Sequence, residues 1–234
     1  MGRILLIETA TQVCSAAVSD GGKVLAIKES REQLSHSGQL TVFIEEVMAQ
    51  AGLHYSQLDS VAVSMGPGSY TGLRIGISAA KGICYAMDKP LIGIGTLESL
   101  ANGLIHSGEV QLKKNHQICP MIDARRMEVY MALFDADGRK VKETDAVVLD
   151  QNTFSGFPED QIIWVVGDGA AKCRSLYTHQ PQIRILDDFL PSSGYMASLA
   201  EKAHNSGSFA DTAYFEPFYL KDFVAALPKV KGLK

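Results

Sequence analysis

Residues 3–30 read RILLIETATQVCSAAVSDGGKVLAIKES. Three apolar runs, at Ile4 to Ile7, Cys14 to Val18 and Val24 to Ile27, stand here between short polar connections, the second of them Asp20-Gly21-Gly22. Runs of this length bounded by turn residues read as strands, so three strands joined by tight turns open the chain. The period then changes. From Gln39 to Ala51 the residues Leu40, Phe43, Ile44, Val47, Met48 and Ala51 recur at i, i+3, i+4 spacing, with Gly52 in the stop position, which is an amphipathic helix. A strand at Val61 to Ser64, a helix at Tyr70 to Met87, a strand at Leu91 to Ile94 after Pro90 and a helix at Thr96 to Ile105, capped by Thr96, complete the order β-β-β-α-β-α-β-α.

The second half reads in the same order. Strands are expected at Ile118 to Ile122, Val129 to Phe134 and Val141 to Leu149, with Asp137-Gly138 as the second turn. A short helix is expected after Asp150, then a strand at Ile162 to Val166, a helix after Gly169, a strand at Ile183 to Leu186 and a helix from Ser193 through Ala203. The duplication rests on element order, not on matching residues. It predicts an α/β protein of two ribonuclease H-like lobes, residues 1–106 and 107–212, facing each other across a cleft: the architecture of actin, the sugar kinases and the Hsp70 chaperones. Residues 213–234 are expected to pack back on the first lobe and to end in a solvated basic tail of Lys229, Lys231 and Lys234 after Pro228.

Composition narrows the function classes. With 46% hydrophobic and 21% charged residues the chain is ordinary globular material. A net charge of −4 gives no overall attraction to a phosphate backbone, so RNA contact would need a partner or a local patch. Cys14, Cys84, Cys119 and Cys173 form no C-x-x-C pair and read as small core hydrophobes. No apolar stretch approaches the roughly 20 residues of a membrane span, and the opening strand is too short for a signal peptide, so a reduced, cytoplasmic setting is expected.

Residues 64–76, Ser-Met-Gly-Pro-Gly-Ser-Tyr-Thr-Gly-Leu-Arg-Ile-Gly, resemble the signature of the TsaB family, also called YeaZ. Supporting matches are Ile7-Glu8-Thr9-Ala10-Thr11, His36-Ser37, Asp123-Ala124-Arg125 with Glu128-Val129-Tyr130, and Glu216-Pro217-Phe218-Tyr219-Leu220-Lys221. The resemblance implies a dimerisation subunit in the synthesis of threonylcarbamoyladenosine on tRNA. Its implied partners are a paralogous catalytic subunit of the TsaD family and a small ATPase of the TsaE family, with tRNA reached through the complex. An older name, glycoprotease homologue, comes from that kinship and implies no proteolysis. The resemblance implies no cofactor for the isolated chain, with ATP or ADP a matter for the joint interface.

The residues themselves argue against catalysis. None of the six histidines has another four positions away, the spacing that aims two imidazoles at one ion from a helix face, so no metal ligands are assigned. Nucleotide-cleaving relatives of this fold carry an acidic residue followed by a glycine in the first hairpin; here Glu8 is longer than aspartate and Ala10 puts a methyl group in the glycine's place. Gly66 to Gly76 is neither a P-loop nor G-x-G-x-x-G, and Ser69 lies in no G-x-S-x-G elbow. Gly66-Pro67-Gly68 reads as a tight turn, with Ser69 or Thr71 to cap the following helix and an anion at its start as the competing reading. Val166-Gly167-Asp168-Gly169 falls where actin-like proteins turn around adenosine, but reads first as a strand-to-helix turn that needs glycine. Asp123 and Arg125 are expected to hold a hairpin by ion pairing. No catalytic residue is assigned; Glu8, Thr9, Ser69, Asp123, Arg125 and Asp168 are the candidates for a residual nucleotide or anion site.

The helix from Tyr70 to Met87 is apolar nearly all round, with only Arg74 and Lys81 charged before its last turn, so it needs cover on more than one side. Its small residues would let a partner helix approach closely. The expected partner face takes Thr41, Val42 and Glu45 from the first helix and Gly72, Ile75, Gly76, Ala79 and Ile83 from the second, as in the family's pairing. Competing readings are burial of both helices within the monomer, a self-sufficient homodimer, and an actin-like ATPase or small-molecule kinase using the interlobe cleft.

Overall fold

The computed structural model describes residues 1–32, 36–158 and 160–221; the lysines after Pro228 lie outside the described residues. The first sheet contains β1 (Arg3–Glu8), β2 (Cys14–Asp20), β3 (Lys23–Ser30), β4 (Ser60–Gly66) and β5 (Leu91–Gly95), in the order β3-β2-β1-β4-β5. The first three strands pair antiparallel, while β4 and β5 add in parallel. Gly21 and Gly22 supply the positive φ values, +56° and +77°, that turn β2 into β3. Both faces are covered. Leu5, Ile7, Ala16, Val18, Val61 and Val63 pack towards α1 (His36–Gln50) and α2 (Tyr70–Met87), and the alternate residues Ile4, Leu6, Ala17, Ala62 and Ile92 pack on the opposite side. Burial on both faces is why β1, β2, β4 and β5 read as continuous apolar runs.

After α3 (Thr96–Ser107) the pattern repeats: β6 (His116–Asp123), β7 (Glu128–Asp135), β8 (Lys140–Val148), β9 (Ile162–Val166) and β10 (Ile183–Leu186) stand in the order β10-β9-β6-β7-β8. Connectivity and strand sense match the first sheet. The chain is thus α/β, with two lobes of the ribonuclease H-like, actin-type topology.

Three expected local details differ. Among the described residues no helix follows Asp150: its carboxylate accepts from the Asn152 N–H and the Thr153 hydroxyl, a local turn that outcompetes helix formation and leaves Phe154 to enter the core beside Tyr177. After Gly169 there is a 3₁₀ turn and only one helical turn, α4 (Arg174–Tyr177). Gly95, not Thr96, is the N-cap of α3, and the Thr96 hydroxyl is buried without a partner among the described residues.

The last helices cross over. Leu97, Leu100 and Leu104 of α3 pack with Ile118, Ile122 and Phe134 of the second sheet. Ala197 and Ala200 of α5 (Ala197–Asn205), with Met196, pack with Ile4, Leu6 and Ile94 of the first. Residue 106 therefore ends a repeat of elements without ending a unit of packing. A hydrogen bond of 2.7 Å between the buried Ser15 and Ser193 hydroxyls adds a polar tie across the same junction.

Beyond α5 the chain returns along β5 and α2. Ala210 N–H donates to Leu91, the Phe215 ring lies over Gly93, and Lys81 reaches the carbonyls of Ala213 and Phe215. Phe218 N–H then donates to Met65 at 2.7 Å. Among the described residues no helix is long and apolar enough to cross a membrane.

Candidate functional site

The loop leading into α2 lies directly on the tip of the β1–β2 hairpin. Ser69 N–H donates to the Ala10 carbonyl at 2.7 Å, the Thr9 hydroxyl donates to the Gly72 carbonyl at 2.8 Å, and Ser69 Oγ caps α2 by accepting from Gly72 N–H. A Cβ added at Gly68 would stand 2.4 Å from the Ala10 carbonyl oxygen, at Gly72 2.1 Å from that of Thr9, and at Gly76 2.3 Å from Thr9 Oγ1. Gly68 and Gly72 exist because backbone meets backbone, and Gly76 because the helix backbone meets the Thr9 side chain.

Glu8 lies fully buried beneath the tip. Its Oε1 accepts from Ala10 N–H at 2.6 Å and Ser64 Oγ at 2.8 Å, while Oε2 has no partner among the described residues. Burial pushes its carboxyl up to about 7, against the opposing pull of those hydrogen bonds.

Above the hairpin a cleft of about 630 Å³ opens between the lobes. Of the six candidates for a residual nucleotide or anion site, Ser69, Asp123, Arg125 and Asp168 line it. Glu8 and Thr9 do not: both are buried below, engaged in holding the hairpin to β4 and α2. Asp168 Oδ1 accepts from Asp123 N–H at 2.9 Å, and burial raises its carboxyl above the usual carboxylate range. Asp123 pairs with Lys172 at 2.8 Å and accepts from the Arg125 N–H, so the expected Asp123–Arg125 ion pair is replaced by a backbone hydrogen bond. Arg125 and Arg126 take left-handed φ values of 70° and 49° at the turn. Gly167 and Gly169 face β6, where an added Cβ would meet Met121 at 2.2 and 3.0 Å, so this turn needs its glycines for packing.

Three of the six histidines bond to separate partners. His36 bonds the Thr11 carbonyl, His106 that of Asn102, and His116 accepts from Trp164. Among the described residues no group of three or more His, Cys, Asp or Glu is placed to hold a metal ion.

A second hollow, of about 440 Å³, runs between α1 and α2. Of the residues expected on the partner face, Thr41, Ile75 and Ala79 line it; Val42 and Glu45 are exposed on α1, and Ile83 packs half-buried against the first-lobe core. Gly72 and Gly76 must be struck from that face, because they turn inward onto Thr9. Sequence reasoning missed three residues here: Arg74 lies over the Tyr70 ring, 4.2 Å from its centroid, and donates from Nε to the Tyr219 hydroxyl at 3.0 Å. Arg74's isolation as a charge in an apolar helix was the available signal; nothing local ties it to Tyr219, far along the chain.

Residues 28–153 match the family model TsaD, tRNA N6-adenosine threonylcarbamoyltransferase. The tRNA threonylcarbamoyladenosine biosynthesis protein TsaB of Escherichia coli is 29% identical over 228 residues, 95% of this chain and 96% of the relative. Its Bacillus subtilis namesake is 31% identical over 150 residues, covering 64% of this chain and 61% of that protein. Among solved structures, YeaZ from Pseudomonas aeruginosa superposes with a TM-score of 0.75 at 24% identity, covering 94% of this chain and all of that one. These matches, on a chain of two repeated lobes, place it in the TsaD-type threonylcarbamoyltransferase family, as a member of its TsaB (YeaZ) group.

Proposed function

We propose that the chain serves tRNA threonylcarbamoyladenosine biosynthesis as a non-catalytic subunit, docking a TsaD-type paralogue through the α1–α2 groove. The names of its relatives support the pathway. The hairpin tip carries the non-catalytic part of the reading. In a phosphate-handling member of this fold the tip's backbone N–H groups must face the ligand; here Ala10 N–H is taken by Glu8, Thr9 N–H by Ser64, and the Ala10 carbonyl by Ser69. The Thr9 and Ala10 donors, already engaged and with a buried carboxyl behind them, are withdrawn from any phosphate at that position. A small ATPase of TsaE type and a nucleotide at the joint interface belong to the same proposal, as does access to tRNA through the complex.

The test is size-exclusion chromatography with light scattering of the chain mixed with its TsaD-type paralogue. Wild type is expected to form a heterodimer, and Ala79→Arg, which places a long cation in the groove, to lose it while keeping its fold by circular dichroism. Separate elution of wild type and paralogue, with nucleotide and the ATPase present, would overturn the docking reading. Gly76 is unsuitable as a probe, because a side chain there collides with Thr9 before it reaches any partner.

A further inference from the structure

Among the described residues Arg74 is the one charged side chain lining the α1–α2 groove, and it is already held in place. Its guanidinium rests on the Tyr70 ring, and Tyr219, whose ring centroid lies 5.1 Å from that of Tyr70, accepts from Nε. This hydrogen bond raises the Arg74 pKa, so the group is a permanent cation. Nε is the only guanidinium donor with an acceptor among the described residues. The nearby Glu216 carboxylate acts on it only through space. The edge carrying Nη1 and Nη2 is therefore open, in a groove whose floor is Leu40, Ile75 and Ala79. A flat guanidinium fixed by stacking and one hydrogen bond has lost its rotamer freedom before binding, which favours a two-pronged contact with a carboxylate.

We infer that Arg74 anchors an aspartate or glutamate on a helix of the docked paralogue, with an apolar side chain three or four positions away seated on the Leu40–Ile75–Ala79 floor. The inference rests on the docking reading above and adds the chemistry of the occupant. Tyr219 is the positioning residue: Phe218 N–H bound to Met65 fixes the C-terminal segment, and the segment sets the direction of the fork.

Titration calorimetry of the full chain against the purified paralogue, at low and high salt, tests this with four variants checked for folding. Arg74→Gln and Arg74→Lys are each expected to raise Kd by about tenfold or more, since a lysine cannot reproduce the planar fork, and Arg74→Gln, which removes the charge, should also flatten its salt dependence. Tyr219→Phe keeps the ring, removes the Nε acceptor and should weaken binding less than either. Ala79→Arg should abolish it. Wild-type affinity in both Arg74 variants, with binding lost in Ala79→Arg, would sink the carboxylate anchor and leave the docking reading standing. Unchanged binding in all four would sink both. The exposed Val42 and Glu45 of α1 offer the same apolar and acidic pairing to a second copy of this chain. If Arg74→Gln and Glu45→Gln break self-association while affinity for the paralogue stays intact, the occupant is a second copy and the inference is overturned.

Discussion

Glu8 carries a carboxyl group into a wholly buried setting where Ala10 N–H and Ser64 engage one oxygen and nothing among the described residues engages the other. Its folded-state pKa of about 7 lies above the ordinary glutamate value of 4.5, so between those values the folded chain holds a proton that the unfolded chain has released. Stability from this group is full below the lower value, falls as pH rises through the interval and is fully lost above about 7, a change on the order of 3 kcal/mol at most. Glu8→Gln keeps the acceptor and cannot ionise. The difference in urea-unfolding free energy between wild type and Glu8→Gln should therefore shift towards the variant from pH 4.5 to 7 and level off beyond; a difference independent of pH would refute the buried-acid assignment. The sequence showed that Glu8 and Ala10 depart from a nucleotide-cleaving hairpin. It could not show that Glu8 turns away from the cleft, because Ser64 comes from a strand more than fifty residues later.

Helix α2 combines three environments. Leu73, Ile77, Ala80 and Cys84 enter the first-lobe core, Gly72 and Gly76 lie on Thr9, and Arg74, Ser78, Gly82 and Tyr85 face outward. One substitution should then have opposite signs two turns and more apart. Gly72→Ala drives a methyl group into the Thr9 carbonyl and should lower stability by about 1–3 kcal/mol. Gly82→Ala meets nothing within 4 Å and should raise it by about 0.5–1 kcal/mol through helix propensity. Thermal melts of the two variants decide the matter; a shift of the same sign would contradict the packing of α2 described above. The bounds of α2 and the apolar stripe of α1 were legible because a 3.6-residue period is local. The direction in which the α2 glycines face was not, since a small residue suits a partner helix and an inward backbone contact equally well.

Across the whole molecule, the cleft retains Asp123 and Asp168 on the second-lobe wall, while at the first hairpin the Thr9 and Ala10 N–H groups are engaged by Ser64 and Glu8. Titration of magnesium-ATP into the isolated chain is expected to give no saturable binding heat and no turnover. Metal-dependent hydrolysis lost in Asp168→Asn would instead make the cleft an active site and the non-catalytic reading untenable. By itself, the sequence determined the order of elements, the duplication, the family signature and the absence of paired histidines, because strand length, helix period, turn glycines and residue identity are properties of short stretches of chain. Tertiary structure alone decided that α3 and α5 exchange sheets, that Gly72 and Gly76 serve the hairpin and not a partner, and that Arg74 is aimed by Tyr219. Each of those depends on residues that are distant in sequence and brought together by burial of the two sheets, and no local pattern records which pairs burial will join.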